Sequence, residues 1–184
     1  IVALSCAAIM VISSMSMSVF AYSDCDNEAV ETLTKLEVLS GYDDGTFKPD
    51  ALISRAEFAK IISVISGGAD LDESDLQECG FSDVDSNHWA YNYILYCETS
   101  NYFDGYEDGT YKPNENVSFA EVLKVCFTVA GYNNLNIEKS ENWYEKWVDL
   151  AYEYNLIDNK DKDPNGKATR AEVAELVSIT INLP

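Results

Sequence analysis

The sequence predicts an all-α protein built from three helix-loop-helix units, and three observations predict it. The string Gly41-Tyr42-Asp43-Asp44-Gly45-Thr46-Phe47-Lys48-Pro49 returns as Gly105-Tyr106-Glu107-Asp108-Gly109-Thr110-Tyr111-Lys112-Pro113, an offset of 64 residues. Downstream of both strings stands a hydroxyl residue followed three positions on by a glutamate, Ser54 with Glu57 and Ser118 with Glu121, and the pattern recurs as Thr169 with Glu172. Such a capping box opens a helix, and the stripe Phe58, Ile61, Ile62 and Ile65 that follows has helical spacing. Repetition at a fixed period marks a fold assembled from similar units.

The elements follow in chain order. Residues 1–21 are apolar and uncharged, with Val19 and Ala21 where a signal peptidase reads, so they are read as a secretory signal peptide; a membrane anchor is the alternative for so long an apolar run. The first unit occupies 22–68. Val30, Leu33, Leu36 and Val38 predict a helix from Asn27 to Leu39, with Gly41 as the left-handed residue that ends it. Asp44-Gly45 reads as a tight turn, Pro49 keeps the chain extended, and Ser54 caps the second helix. The second unit, 81–131, repeats this grammar with Trp89, Ile94 and Cys97 on its first helix, Asp108-Gly109 in the turn and Ser118 at the cap. The third, 142–184, places Trp143, Val148 and Ala151 correspondingly, has Asn159 where the others have glycine, and caps with Thr169. Counted back from Gly41, the tryptophan position of the first unit holds Cys25. Two helices cannot bury such a stripe alone, so the three units are expected to pack as one domain.

Composition narrows the function. The 184 residues carry 12 Lys plus Arg against 32 Asp plus Glu, a net charge of -20, which leaves no clustered cations for a nucleic-acid backbone. Hydrophobic residues make up 47%, enough for a packed core rather than a disordered acidic chain. One histidine, His88, is too few for a His-rich zinc site. After export, Cys25, Cys79, Cys97 and Cys126 allow three disulfide pairings, or serve as small buried thiols. No nucleophile and base stand in a recognisable arrangement, so the chain is read as a non-enzyme without cofactor.

Both arginines of the chain, Arg55 and Arg170, fall on the first residue of a capped helix, where a cation opposes the helix dipole. Open N–H groups, the positive dipole end and a planar guanidinium together suit a carboxylate or phosphate. A rival motif is Asp161, Asp163, Asn165 and Glu172, which satisfies the spacing of a calcium-binding loop and would make the chain an exported calcium-dependent docking module. Against it, Glu172 is already needed as the capping-box residue.

The Gly-Tyr-x-Asp-Gly-Thr-Phe-Lys-Pro string, the Ser54-Arg55-Ala56-Glu57 and Thr169-Arg170-Ala171-Glu172 boxes, and Phe81-Ser82-Asp83-Val84 with Trp89-Ala90 closely resemble the S-layer homology repeat of bacterial cell-surface proteins. The resemblance implies three repeats with approximate threefold symmetry around a central helical bundle, with grooves between them. It also implies a secreted wall anchor that binds a pyruvylated secondary cell wall polysaccharide linked to peptidoglycan, and neither nucleic acid nor, once the signal is cleaved, membrane. Carried across, the binding positions are Arg55, Arg170, Gly41 and Gly105, with Trp89 and Trp143 as stacking surfaces. Three departures predict fewer than three competent grooves: Phe119 in place of arginine, Cys25 in place of tryptophan, and a third loop three residues shorter. On this reading, replacing both arginines by alanine weakens wall binding and leaves helical content intact.

Overall fold

The computed structural model describes residues 22–68, 78–132, 142–158 and 160–182. The signal-peptide reading and Asn159 lie outside them. Among the described residues there are six helices and no strand: α1 (Glu28–Lys35), α2 (Arg55–Ile65), α3 (Tyr91–Thr99), α4 (Phe119–Val129), α5 (Glu145–Glu153) and α6 (Arg170–Thr180). None of these helices is long and apolar enough to cross a membrane.

The second helix of every unit begins as the sequence predicts. Ser54, Ser118 and Thr169 each accept a hydrogen bond from the N–H of Glu57, Glu121 or Glu172, whose carboxylate in turn accepts from the cap's own N–H. The first helix of the first unit ends sooner than predicted. α1 stops at Lys35, and Glu37, Asn101 and Asn155, at φ of 58°, 56° and 57°, are the left-handed residues behind α1, α3 and α5. The predicted terminators have another task. A Cβ on Gly41 would collide with the Tyr22 ring and the Thr46 carbonyl, and one on Gly105 with the Phe81 ring and the Thr110 carbonyl. Glycine stands there because an aromatic ring lies across the backbone, not because a helix ends.

Packing between units is cyclic. α2 packs on α3, α4 on α5, and α6 returns to α1, so each unit's second helix pairs with the next unit's first. α4 and α6 also touch. Three extended residues just before the caps link the units at the centre. Val117 N–H donates to the Ile53 carbonyl at 3.0 Å, Ala168 N–H to that of Val117 at 3.0 Å, and Ile53 N–H to that of Ala168 at 3.4 Å. The three form a closed ring of hydrogen bonds with their side chains buried. Around it one hydrophobic core runs through all three units, with Phe47, Phe58, Ile62, Ile94, Tyr111, Leu123 and Phe127 almost wholly enclosed. Side chains of this size each contribute roughly 1.5–3 kcal/mol when removed from water. The four cysteines of the described chain are free, and Cys97 and Cys126 are buried thiols; burial pushes Cys126 up to about 12.

Candidate functional site

The cyclic order creates three grooves, each where the N-terminus of one unit's second helix meets the loop of the next. The 1–2 groove is lined by Arg55, Tyr102, Phe103, Asp104, Glu121, Lys124 and Val125, with Trp143 of the third unit at its edge. The 3–1 groove presents Arg170, Val38, Leu39, Ser40, Glu57, Lys60 and Ile61, with Trp89 of the second unit. The 2–3 groove presents Phe119, Leu156, Ile157, Asp158, Glu172, Glu175 and Leu176, together with Lys162. Counted from the capping glutamate, the helix positions of the three grooves coincide, and the loop positions coincide once the three-residue shortening of the third loop is allowed for. In the first two grooves all three units contribute: a helix start, a loop and a tryptophan.

The arginines lie in the groove floors and hold the units together. Arg55 is 2% exposed, and its Nε donates to the Tyr111 carbonyl at 2.7 Å while its terminal nitrogens reach the Glu121 carboxylate and, at 3.4 Å, the Asp104 carbonyl. Its guanidinium carbon lies 4.9 Å from the Tyr106 ring centre and 4.6 Å from that of Tyr111. Arg170 is 8% exposed and makes the same bonds to the first unit, to the Phe47 carbonyl at 2.9 Å and the Ser40 carbonyl at 2.8 Å, beside the Tyr42 and Phe47 rings. Unlike Arg55, it has no carboxylate in ion-pair distance among the described residues.

The N–H groups expected to be open for a ligand are closed. Arg55 and Ala56 donate to the Glu115 and Pro113 carbonyls at 2.8 and 3.0 Å, Phe119 and Ala120 to Gly166 and Pro164 at 2.8 and 2.9 Å, and Arg170 and Ala171 to Ala51 and Pro49 at 2.9 and 3.0 Å. Carbonyls of the neighbouring loop therefore oppose the dipole at each helix start, and further carbonyls of the same unit, those of Tyr111 and Asp104 or of Phe47 and Ser40, hold the guanidinium itself. The arginine position thus has a structural cause that sequence spacing did not suggest.

Of the other predicted residues, Gly105 lines the 1–2 groove, and Gly41 follows Ser40 of the 3–1 groove. Trp143 and Trp89 are 51% and 57% exposed, one at each arginine groove; the buried tryptophan is Trp147, at 4%. His88 stacks on Trp89 with ring centres 5.8 Å apart. Tyr42 and Tyr106 leave ring surface open beside the arginines, with Lys48 and Lys112 over them at 3.8 and 4.0 Å.

In the 161–172 loop, Glu172 accepts hydrogen bonds from the Lys162 ammonium and, at 2.9 Å, from the Thr169 N–H. Burial raises this carboxyl, but the Lys162 contact and the cap bonds outweigh it and hold the group below its ordinary value. The carboxylate that would chelate calcium is thus bound to a lysine. Asp163 accepts from the Asn165 N–H at 3.0 Å as a turn residue, and among the described residues no group of three acidic, His or Cys side chains is placed to hold a metal ion.

Two features escaped the sequence reading. Tyr22-Ser23-Asp24 is the first unit's counterpart of Phe81-Ser82-Asp83. Asp24 accepts from the Phe47 and Lys48 N–H groups at 2.7 and 2.9 Å as Asp83 does from Tyr111 and Lys112 at 2.7 and 2.8 Å, and Tyr22 packs on Phe47 as Phe81 packs on Tyr111. An aromatic-Ser-Asp search tolerant of a gap would have found it. The second feature is the residue three places after each capping glutamate, Lys60, Lys124 and Glu175, which faces every groove.

Comparison with known proteins adds a family to this geometry. The S-layer homology domain matches residues 23–59 and 80–123. The chain is 39% identical over 87 residues to cell surface glycoprotein 1 of Acetivibrio thermocellus, covering 47% of this chain and 4% of that protein. It is 36% identical over 89 residues to the cellulosome-anchoring protein of the same organism, covering 48% and 20%. To the cell surface protein of Thermoanaerobacter kivui it is 24% identical over 157 residues, covering 85% and 20%. The chain thus spans a fifth or less of the length of these relatives.

Proposed function

We propose, from the S-layer homology domain that matches residues 23–59 and 80–123, that this chain attaches a secreted polypeptide to the bacterial cell wall without a covalent bond. The proposed ligand is a pyruvylated secondary cell wall polysaccharide linked to peptidoglycan, bound in the 1–2 and 3–1 grooves. One observation carries the reading: each of these grooves combines a guanidinium in its floor, a lysine on its wall and a half-exposed tryptophan at its edge. An anionic sugar needs a positive floor for its carboxylate and an aromatic face for its ring. Arg55 and Arg170, held by neighbouring carbonyls, are positioned in advance, so little side-chain order is lost on binding. Gly41 and Gly105 let the loops that flank the two grooves pack against the Tyr22 and Phe81 rings, and Trp89 and Trp143 are the stacking faces. The reading assigns recognition to this segment and no catalysis.

The experiment is retention by purified cell walls before and after chemical removal of the secondary polymer. The expected result is binding to intact walls and release from stripped ones. Equal retention by both overturns the polysaccharide reading.

A further inference from the structure

The three departures noted in the sequence lie in different units, yet the fold gathers them at one place. Phe119 takes the arginine position of the 2–3 groove, the shortened third loop is its wall, and the first unit, which has no tryptophan, is the one whose position in the cyclic order would supply its aromatic face. Asn27 at the start of α1 does reach this groove, donating to Glu175 at 2.7 Å.

Charge is inverted there as well. Where the other grooves carry Lys60 and Lys124, this one carries Glu175. The 3–1 groove sets Arg170 and Lys60 against Glu57, and the 1–2 groove sets Arg55 and Lys124 against Asp104 and Glu121. The 2–3 groove sets Lys162 alone against Asp158, Glu172 and Glu175. Lys162 occupies the loop position of Phe47 and Tyr111, so cation and ring have exchanged sides: the loop now supplies the ammonium, 4.2 Å from the Phe119 ring centre, and the helix supplies the ring. The exchange preserves a cation–π contact between units, but the ammonium is spent on Glu172.

We propose that the chain takes an anionic sugar in two grooves, 1–2 and 3–1, and that Phe119 and Glu175 exclude it from the third. The 3–1 groove is the tighter of the two, because Arg170 has no carboxylate partner among the described residues whereas Arg55 is paired with Glu121. This inference rests on the anchoring reading and concerns where the charge is admitted.

The test is calorimetric titration of the protein with a methyl hexoside carrying a pyruvate ketal, beside the same glycoside without the ketal. The wild type is expected to bind two ketals. Lys60 and Glu175 are exposed, so Lys60→Glu and Glu175→Lys test the charges without disturbing the core. Lys60→Glu should remove one site, and Phe119→Arg with Glu175→Lys should add a third. If the double variant loses stability, Glu175→Lys alone should still raise residual affinity in the third groove. Three ketals bound by the wild type, or two retained by Lys60→Glu, overturn the inference. If ketal and plain glycoside fill three sites alike, sugar binding stands and the groove assignment falls. If neither binds, the anchoring reading fails and this one with it.

Discussion

Arg55 and Arg170 combine two roles that usually conflict, since each lies nearly buried and bonded to backbone carbonyls of the next unit yet floors a groove. Truncation to alanine leaves those carbonyls without a donor, so Arg170→Ala is expected to cost about 2–4 kcal/mol, read as a lowered urea midpoint. The double arginine variant is therefore not the neutral probe that the helix-start position suggests; an unchanged midpoint would show that the pins contribute nothing. The exposed tryptophans separate the roles better. Trp143→Ala and Trp89→Ala should each leave stability within about 0.5 kcal/mol and weaken wall retention. A variant that retains full binding removes its tryptophan from the site. The arginines were legible as the place to look, because both fell on one helical position. Their burial was not legible, because the carbonyls that bind them come from 49 to 130 residues away in the chain.

Each second helix depends on a reciprocal cap, and the sequence showed these elements best because a capping box is local. Ser54→Ala, Ser118→Ala or Thr169→Ala should each cost about 1 kcal/mol of stability in chemical unfolding. The first helix was drawn too long because the apolar spacing continues through Val38 and Leu39, which are buried by the turn after the helix. The loops add a dependence on pH. The Phe47 and Lys48 N–H groups hold the Asp24 carboxyl below its ordinary value, and the Thr46 and Thr110 hydroxyl and N–H groups do the same for Asp44 and Asp108. Glu172, raised by burial but lowered more by Lys162 and its cap bonds, is also depressed. A carboxyl depressed in the folded state stabilises it fully above the unfolded value, near pH 4, and the contribution is lost as pH falls through the folded value. The urea midpoint should hold steady from pH 7 to about 5 and decline below about 4. A midpoint unchanged down to pH 3 would mean that these carboxylates do not hold the loops.

At the scale of the molecule, a net charge of -20 repels the acidic polymer proposed as its ligand, and the few cations act only within the grooves. Screening then relieves long-range repulsion more than it weakens contacts inside the grooves, so wall binding should strengthen or stay level between 50 and 300 mM salt. A steep loss over that range would instead indicate exposed ion pairs. The repetition was legible in the sequence; that the 1–2 and 3–1 grooves each draw on a helix, a loop and a tryptophan from different units was not, because only the closed order of packing reveals it. The hydrogen-bonded ring of Ile53, Val117 and Ala168 has a consequence for how such a protein can change in evolution. A solenoid gains or loses strength by adding or dropping terminal repeats, but a ring has no terminus at which a fourth unit could join. Valency then changes in only two ways: by duplicating the whole ring as a second domain, or by altering groove residues one at a time, as Phe119 and Glu175 exemplify.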